Sequence, residues 1–356
     1  MTRIEKLRAA LPENFGAALV QNDAHRFYLT HFRSSAGALL VSEMDAVLFV
    51  DSRYDEAARK QAQGVRVERM ESLYAQLSAL LQKADIHHLL VENETSIGAL
   101  ASLKKGLREA KLKYECSAVL SGAILKLRAQ KEESEIAAIR AAQAITDAAF
   151  KEICGFIRPG RTEREIAAEL EYAMRKRGAD GFAFNTIVVS GKNSSMPHGV
   201  PTDKPVENGD FITMDFGAKK DGYCSDMTRT VALGEPSSKQ REIYELVLDA
   251  HNRAKAAARA GMSGRELDGI ARDRIAQAGY GDCFGHGLGH SLGIDIHENP
   301  RASKGSEDVF PENSLVTIEP GVYLPGEFGV RIENMVLLHD GGCTDLTASP
   351  TELIIL

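Results

Sequence analysis

The chain has 356 residues, of which 44% are apolar and 26% charged, and its formal net charge is −7. This length favours two domains, and the composition is typical of a soluble globular protein. The negative balance argues against nucleic acid or an anionic membrane as the main partner. No apolar run approaches the ~20 residues that span a bilayer, and charges occupy the N-terminal region where a signal peptide needs an apolar core. Five scattered cysteines without a C-x-x-C pair indicate reduced thiols, so we expect a cytoplasmic protein.

The first part of the chain alternates between short apolar runs and stretches with helical spacing. The apolar runs, each bounded by polar residues, predict strands at 17–20, 38–41, 46–50 and 88–91. Helical spacing predicts helices over 54–63, 71–83 and 97–110. The alternation predicts an α/β domain over residues 1–122, followed by a second domain over 123–356.

An amphipathic helix predicted over about 126–152 links the two domains, and an internal repeat follows it. Each copy of the repeat begins with a helix capping box, at Thr162-x-x-Glu165 and at Ser263-x-x-Glu266. Each helix ends at a glycine suited to the position after a helix, Gly178 in one copy and Gly279 in the other. Glycines and caps keep one constant spacing, which predicts two copies of a helix followed by an antiparallel hairpin.

Both copies deliver carboxylates from β-rich runs. Asp215 and Asp226 lie in the first copy, and Glu319 and Glu333 lie in the second. Burying a carboxylate among apolar strand residues costs several kcal/mol unless a cation compensates for it. The nearby arginines could pair with one or two of these acids, but not readily with four. Two repeats packed about a pseudo-dyad would bring the acids face to face, and a pair of divalent ions is the simplest partner.

A glycine-rich stretch over 284–300 holds three of the ten histidines, His286, His290 and His297. Dense glycine lets the backbone approach a ligand closely, and imidazole is the commonest nitrogen ligand of transition metals. Four carboxylates with one imidazole suit Mn²⁺, Co²⁺ or Fe²⁺ better than a structural thiolate zinc. Two such ions about 3.5–4 Å apart would bind and ionise a bridging water.

Five residues resemble, in order and context, the metal ligands of the pita-bread metallopeptidases: Asp215, Asp226, His290, Glu319 and Glu333. That superfamily includes methionine aminopeptidase, Xaa-Pro aminopeptidase, Xaa-Pro dipeptidase (prolidase) and creatinase. The resemblance covers the whole chain. It implies a creatinase-type α/β domain over 1–122 and a pita-bread catalytic domain of duplicated helix and hairpin over 123–356.

The resemblance also implies roles for the ligands. Asp226 and Glu333 would bridge the two ions, Asp215 would chelate one ion, and His290 and Glu319 would bind the other. Glu319 would in addition carry the proton from the bridging water to the leaving nitrogen. Mn²⁺ is the expected metal, with Co²⁺, Fe²⁺ and Zn²⁺ as alternatives.

Four accessory residues are similar to the proline-specific branch: His198 in Met-Pro-His-Gly, His286, His297 and Arg331. His198 and His286 would donate to the carbonyl oxygen as it becomes an oxyanion. His297 and Arg331 would orient the substrate and the carboxylates. His198, His297 and Arg331 are therefore expected to bind substrate as well as to assist the reaction.

The expected activity is that of a metal-dependent aminopeptidase, a homodimer that hydrolyses the Xaa-Pro bond at the N-terminus of peptides. The nearest alternative is a prolidase limited to dipeptides, which needs a group that grips the dipeptide carboxylate; Arg33 is one candidate. A peptide-binding module on an inactive scaffold would have lost metal ligands, whereas all five are kept. Hydrolysis of creatine-like C–N bonds is disfavoured because that chemistry does not need five metal ligands.

Overall fold

A six-stranded mixed sheet organises the first of two units in the computed structural model, which describes residues 1–356. This unit covers Met1–Arg128. Its strands are β1 (Ala17–Val20), β2 (Ala38–Ser42), β3 (Ala46–Val50), β4 (Arg66–Arg69), β5 (His88–Glu92) and β6 (Lys113–Ser117). Its helices are α1 (Arg3–Ala10), α2 (Asp23–Thr30), α3 (Asp55–Gln61), α4 (Leu73–Lys83), α5 (Ile97–Gly106) and α6 (Ala118–Ala129), with a 3₁₀ turn at Arg108–Ala110.

The strands lie in the order β4-β3-β2-β1-β5-β6. Pairs β1–β2 and β2–β3 are antiparallel, and the remaining pairs are parallel. Alternate strand residues such as Leu19, Leu40 and Leu89 pack against Leu77 of α4 and Leu103 of α5, which gives the unit its core. The sequence predicts the four apolar strands to within one residue. It predicts neither β4 nor β6, because these edge strands are polar and only half-buried.

The second unit covers Ala129–Leu356, so the predicted boundary at 122 falls inside α6. The helix predicted over 126–152 is a separate element, α7 (Glu133–Phe156), which starts after α6 has ended. The Glu135 carboxylate accepts a hydrogen bond from the Glu132 backbone N–H at 3.0 Å, and this contact starts the new helix.

Four helices and thirteen strands make up the second unit. The helices are α7, α8 (Glu163–Lys176), α9 (Ser238–Ala257) and α10 (Gly264–Gln277), with 3₁₀ turns at Gly191–Ser195 and Gly281–Cys283. The first strands are β7 (Gly181–Phe182), β8 (Ile187–Ser190), β9 (Phe211–Phe216), β10 (Ala218–Lys220), β11 (Tyr223–Cys224) and β12 (Met227–Ala232). The later strands are β13 (Gly289–Ser291), β14 (Glu298–Ala302), β15 (Leu315–Ile318), β16 (Gly321–Leu324), β17 (Phe328–Arg331), β18 (Asn334–His339) and β19 (Gly342–Asp345). None of the helices is both long and apolar enough to cross a bilayer.

The second unit is a duplication. In the first copy, α7 and α8 pack on the antiparallel sheet β12-β9-β8. In the second copy, α9 and α10 pack on the antiparallel sheet β15-β18-β19. Both predicted capping boxes form, with the Thr162 and Ser263 hydroxyls accepting from the backbone N–H groups of Glu165 and Glu266. The helix-and-hairpin repeat inferred from the sequence is confirmed.

The two hairpins join directly in the middle of the unit. The Glu333 backbone N–H donates to the Thr228 carbonyl at 3.1 Å. Two residues away along each chain segment, the Arg331 N–H donates to the Thr230 hydroxyl at 3.2 Å, and this hydroxyl donates to the Arg331 carbonyl at 3.0 Å. These bonds join residues more than 100 positions apart and bring the acid-bearing ends of the two copies together.

Candidate metal centre

The four acids occupy equivalent places in the two hairpins. Asp215 lies on β9 and Asp226 immediately precedes β12, its pairing strand. Glu319 immediately follows β15 and Glu333 immediately precedes β18, the strand that pairs with β15. Because the hairpins are joined at Thr228 and Glu333, all four carboxylates face one cavity of about 600 Å³.

His290 completes this cluster. Ligand atoms of Asp226, His290 and Glu333 all lie within 4.8 Å of one another. The Nε2 atom of His290 is 3.6 Å from Asp226 Oδ2 and 3.4 Å from Glu319 Oε1. The predicted accessory residues His198, His286, His297 and Arg331 line the same cavity. The structure thus brings together all nine site residues singled out in the sequence.

Glycine is required where the His290 strand passes the second hairpin. A Cβ atom at Gly289 would lie 1.9 Å from the Thr317 carbonyl oxygen, so β13 reaches β15 only without a side chain. The Thr317 hydroxyl accepts from the His290 backbone N–H at 3.1 Å and donates to Glu319 Oε1 at 3.1 Å. One threonine therefore fixes both the imidazole and the carboxylate.

The hydrogen bonds of His290 determine which ring nitrogen carries the proton. Its Nδ1 lies 3.1 Å from the Ser291 carbonyl oxygen, which can only accept, so Nδ1 bears the hydrogen. Burial, with the neighbouring His297, lowers the pKa of His290 to about 3. The ring is neutral at pH 7, and the Nε2 lone pair faces the carboxylates.

The carboxylates repel one another in a buried site. Burial and the charge of Asp215 raise the pKa of Glu333 to about 8. Burial and the charge of Glu333 likewise raise the pKa of Asp226 and of Glu319. Two buried oxygens, Asp215 Oδ1 and Glu333 Oε1, have no hydrogen-bond partner within the protein. This set of carboxylate oxygens and one imidazole lone pair fits divalent cations, which would remove the repulsion and satisfy the unpaired oxygens.

Arg331 is the one cation bonded directly to these acids. Its Nη2 donates to Asp215 Oδ2 at 2.7 Å, its Nε donates to the Thr228 hydroxyl at 3.0 Å, and its Nη1 donates to the Tyr323 hydroxyl at 2.7 Å. The Tyr323 hydroxyl in turn lies 2.9 Å from His286 Nε2. Tyr323 was not foreseen, because a tyrosine in the apolar strand β16 looks like an ordinary core residue.

Both ring nitrogens of His286 are engaged. Its Nδ1 lies 2.8 Å from the Gly287 carbonyl oxygen and therefore carries the hydrogen. Burial, with the charge of Arg331, lowers the pKa of His286 to about 4. The neutral ring accepts at Nε2 from the Tyr323 hydroxyl, which accepts from Arg331. His286 has no N–H left to offer a substrate in this arrangement.

A buried carboxylate outside the metal cluster holds the loop that carries His198. Glu163, fully buried at the start of α8, accepts from the backbone N–H groups of Ser190 at 2.7 Å and Thr202 at 2.9 Å. It also accepts from both hydroxyls, at 2.9 and 2.6 Å, and from the Asn193 amide at 3.1 Å. The two ends of the loop are thereby fastened to a single side chain.

The other two histidine loops are held in the same way. Asp268 accepts from the Leu288 backbone N–H at 2.9 Å and from Arg272, which also donates to the His286 carbonyl at 2.7 Å. Glu298, next to His297, accepts from the Asp295 backbone N–H at 3.1 Å and from Lys131 at 3.0 Å. The sequence alone did not reveal the roles of Glu163, Asp268 and Glu298. Most of their hydrogen-bond partners lie 20 or more residues away along the chain, and only Asp295 and Arg272 are close in sequence.

Two arginines complete the comparison with the sequence. Arg33, considered for substrate recognition, lies in the first unit with its guanidinium 4.7 Å from the centre of the Phe27 ring. Arg301, which was not singled out, lines the cavity on β14, opposite His290 in the β13–β14 pairing. Its side chain makes no hydrogen bond or ion pair within the second unit.

Comparison with known proteins adds family relationships. Residues 137–340 match the model of metallopeptidase family M24, and residues 3–130 match the creatinase/prolidase N-terminal domain. An Xaa-Pro dipeptidase from Bacillus anthracis has 41% identity and a TM-score of 0.95, with 99% of each chain covered. An X-Pro aminopeptidase from Thermotoga maritima has 38% identity and a TM-score of 0.92, covering 99% of this chain and 100% of that one. The peptidase YqhT of Bacillus subtilis is 40% identical over 99% of this chain and 100% of its own length.

Proposed function

We propose, from the premise that this chain belongs to metallopeptidase family M24, that it is an aminopeptidase that hydrolyses the Xaa-Pro bond at the N-terminus of peptides. The observation that carries the proposal is the cluster of four carboxylates and one neutral imidazole on the wall of a cavity. Similarity to both an Xaa-Pro dipeptidase and an X-Pro aminopeptidase supports proline as the second residue of the substrate.

Two divalent ions, with Mn²⁺ preferred, would be held by Asp215, Asp226, His290, Glu319 and Glu333. When bound, the ions supply Lewis-acid polarisation of the scissile carbonyl and lower the pKa of water. The acids provide hard oxygen donors and His290 provides its Nε2 lone pair, as the donor set requires.

Glu319 would act as the general base and then as the general acid in this reaction. The Xaa-Pro amide is tertiary, so the leaving nitrogen has no hydrogen and must gain one to depart as the amine of proline. The Glu319 carboxyl lies on the wall of the same cavity as the other acids, where it would take a proton from water and then donate it to that nitrogen. Its Oε1 also accepts from the Thr317 hydroxyl at 3.1 Å, which holds the carboxyl in place.

His198 and His297 would donate to the carbonyl oxygen as negative charge develops on it. Both line the cavity, and the ring of His297 lies 4.4 Å from that of His290, centre to centre. Burial and the charge of Arg301 lower the pKa of His297, so a neutral ring with one N–H is available. His286, whose two nitrogens are engaged, would position Tyr323 and Arg331 instead, and Arg331 would orient Asp215.

A dipeptidase is the second candidate, and Arg301 is the observation that favours it. Arg301 is an exposed cation on the cavity wall without a partner in the second unit. A guanidinium so placed suits the free carboxylate of an Xaa-Pro dipeptide, because it binds carboxylates in a bidentate manner.

The test is a steady-state assay of Ala-Pro, Ala-Pro-Ala and Ala-Ala-Ala with protein stripped of metal and reloaded with Mn²⁺ or Co²⁺. We expect hydrolysis of both proline peptides and not of the third, and none by Asp226→Asn. Hydrolysis of the dipeptide alone would favour the dipeptidase. No hydrolysis of any proline peptide with either metal would reject both candidates.

Assembly and location form a separate part of the proposal. A homodimer is supported by the family resemblance and is tested by light scattering on the purified protein. A reducing compartment, such as the cytoplasm, is supported by five cysteines that are all free thiols.

A further inference from the structure

The second unit contains another cavity, of about 390 Å³, beside the metal centre. The two cavities share His286, Gly287 and Ser303 as lining residues, so they adjoin. From this shared wall the second cavity extends along Gly281, Asp282, Phe284, Gly285, Lys304 and Gly305. Of the nine predicted site residues, only His286 lines this second cavity.

We propose that this second cavity binds the residues of a peptide that follow the proline, with Lys304 as the cation that meets a downstream carboxylate. The inference rests on the proposed exopeptidase function. An aminopeptidase cleaves after the first residue, so the substrate has one side chain upstream of the bond and the rest of the peptide downstream. A groove that continues away from the cluster therefore suits the downstream part.

The wall of this cavity carries few side chains. Four of its lining residues are glycines, at 281, 285, 287 and 305, and they leave main-chain groups accessible to a ligand. The main chain at Phe284 and His286 is also held in place. Arg272 donates to the carbonyls of Phe284 at 2.9 Å and His286 at 2.7 Å, and Asp268 holds Arg272. A wall that is already rigid binds a peptide without the cost of ordering it first.

Charge on the cavity wall indicates which peptide end is favoured. Lys304 is exposed and makes no ion pair or hydrogen bond within the second unit. The hydroxyl of the half-buried Ser303 makes no hydrogen bond there either. Asp282 lies on the same cavity and would meet basic side chains. Arg301 lines the first cavity and Lys304, three residues later in the chain, lines the second. A peptide that runs from the first cavity into the second would therefore meet two cations in turn. The first suits a dipeptide carboxylate, and the second suits the carboxylate of a longer peptide.

Two variants test the proposal in the full-length, Mn²⁺-loaded enzyme. Lys304→Gln removes the charge, and Gly305→Leu fills the cavity at a position where a Cβ atom meets nothing within 4 Å. The substrates are Ala-Pro, Ala-Pro-Ala, Ala-Pro-Ala-Ala and the C-terminally amidated forms of the two longer peptides. Asp282→Asn, on the same cavity, is the matched control.

In the wild-type enzyme, amidation should lower kcat/KM of at least one longer peptide about threefold to fivefold, as expected for an exposed ion pair. Lys304→Gln should abolish that difference, and Asp282→Asn should keep it. Gly305→Leu should raise KM for the longer peptides about tenfold, the effect of a misfit in a binding pocket, and leave Ala-Pro unchanged. A circular dichroism melt identical to wild type excludes misfolding of either variant.

The outcomes separate this inference from the proposed function. Cleavage of longer peptides with the same length and amidation preferences in all variants would overturn the inference and leave the aminopeptidase intact. A uniform loss on dipeptides and longer peptides alike would also overturn it. Cleavage of Ala-Pro alone would reject the aminopeptidase and this inference together, and no cleavage of any proline peptide would reject the whole scheme.

Discussion

Glu163 provides the sharpest prediction, because one buried carboxylate anchors both ends of the loop that carries His198. The change is Glu163→Gln, which keeps the shape of the side chain and replaces one acceptor oxygen by an NH₂ group. The wild-type carboxylate accepts from five donor groups, two of them the backbone N–H groups of Ser190 and Thr202. Glutamine can serve only one of these N–H groups, so the other faces a donor.

The magnitude follows from these contacts. A buried donor left without a partner costs about 1–3 kcal/mol, and each bond to a charged acceptor is stronger than its neutral counterpart. The loss of negative charge in the first turn of α8 adds about 0.3–1 kcal/mol. We therefore expect a total of about 3 kcal/mol, which corresponds to a fall in Tm of about 6–12 °C for a unit of this size.

Activity should fall further than stability explains. His198 lies between the two loop ends that Glu163 holds, and an error of about 1 Å in a catalytic group can cost about a hundredfold in rate. At a temperature where the variant is fully folded, we expect kcat/KM for Ala-Pro-Ala to fall tenfold or more, about 1.4 kcal/mol. The fall should lie mainly in kcat, because the metal ligands are untouched.

The assay combines scanning calorimetry with steady-state kinetics on the metal-loaded protein. Glu165→Gln is the matched control: the same substitution two residues along the same helix, at an exposed capping position where glutamine also functions. The control should shift Tm by less than about 2 °C, as expected for a surface substitution. The reasoning fails if Glu163→Gln matches this control in Tm, or if its kcat/KM is that of wild type.

Three further predictions concern the metal centre. Asp226→Asn should abolish the stabilisation by Mn²⁺, which is about 2.7 kcal/mol in wild type at a hundredfold excess over Kd, and calorimetry with and without the metal measures it. The pKa of Glu333 in the folded, metal-free protein is about 8, against an ordinary value of 4.5. The metal-free protein should therefore lose stability as pH rises from about 4.5 to 8, and Mn²⁺ should release at least one proton on binding at pH 6.5. Titration calorimetry in buffers of different ionisation enthalpy measures this release, and identical heats in all buffers would contradict it. Gly289→Ala should destabilise the protein by about 3 kcal/mol or more because its Cβ meets the Thr317 carbonyl, whereas Gly285→Ala, with open space at its Cβ, should be near neutral.

Much of the site was predictable because its chemistry is unusual for its context. A carboxylate between apolar strand residues, as at Asp215, stands out without any knowledge of its neighbours. The caps at Thr162 and Ser263 were predictable because a capping box is complete within four residues. In contrast, the alternation of buried residues does not mark β4 or β6, which are polar edge strands.

Other features depend on contacts between distant parts of the chain. Glu163 looks like an ordinary first-turn acid, yet it binds residues 27 and 39 positions away. From the sequence, Tyr323 looks like an ordinary core residue of an apolar strand, yet its hydroxyl links His286 to Arg331. The sequence favoured His286 as a donor to the oxyanion. The structure shows instead that the Gly287 carbonyl accepts its Nδ1 hydrogen and that the Tyr323 hydroxyl meets its Nε2, and neither contact can be read from the sequence.

The sequence by itself determined the two-part architecture and the duplication, because these follow from residue type and from short-range spacing, and its resemblance to the pita-bread metallopeptidases indicated the nine residues at the candidate centre. Only the tertiary structure decided the proton positions on His286 and His290, the unpaired oxygens of the acids, and the second cavity beside the first. The physical reason is the distance along the chain over which each interaction acts. Caps and periodicity act over a few residues, whereas hydrogen-bond partners, burial and cavities are set by strands that meet across more than 100 positions.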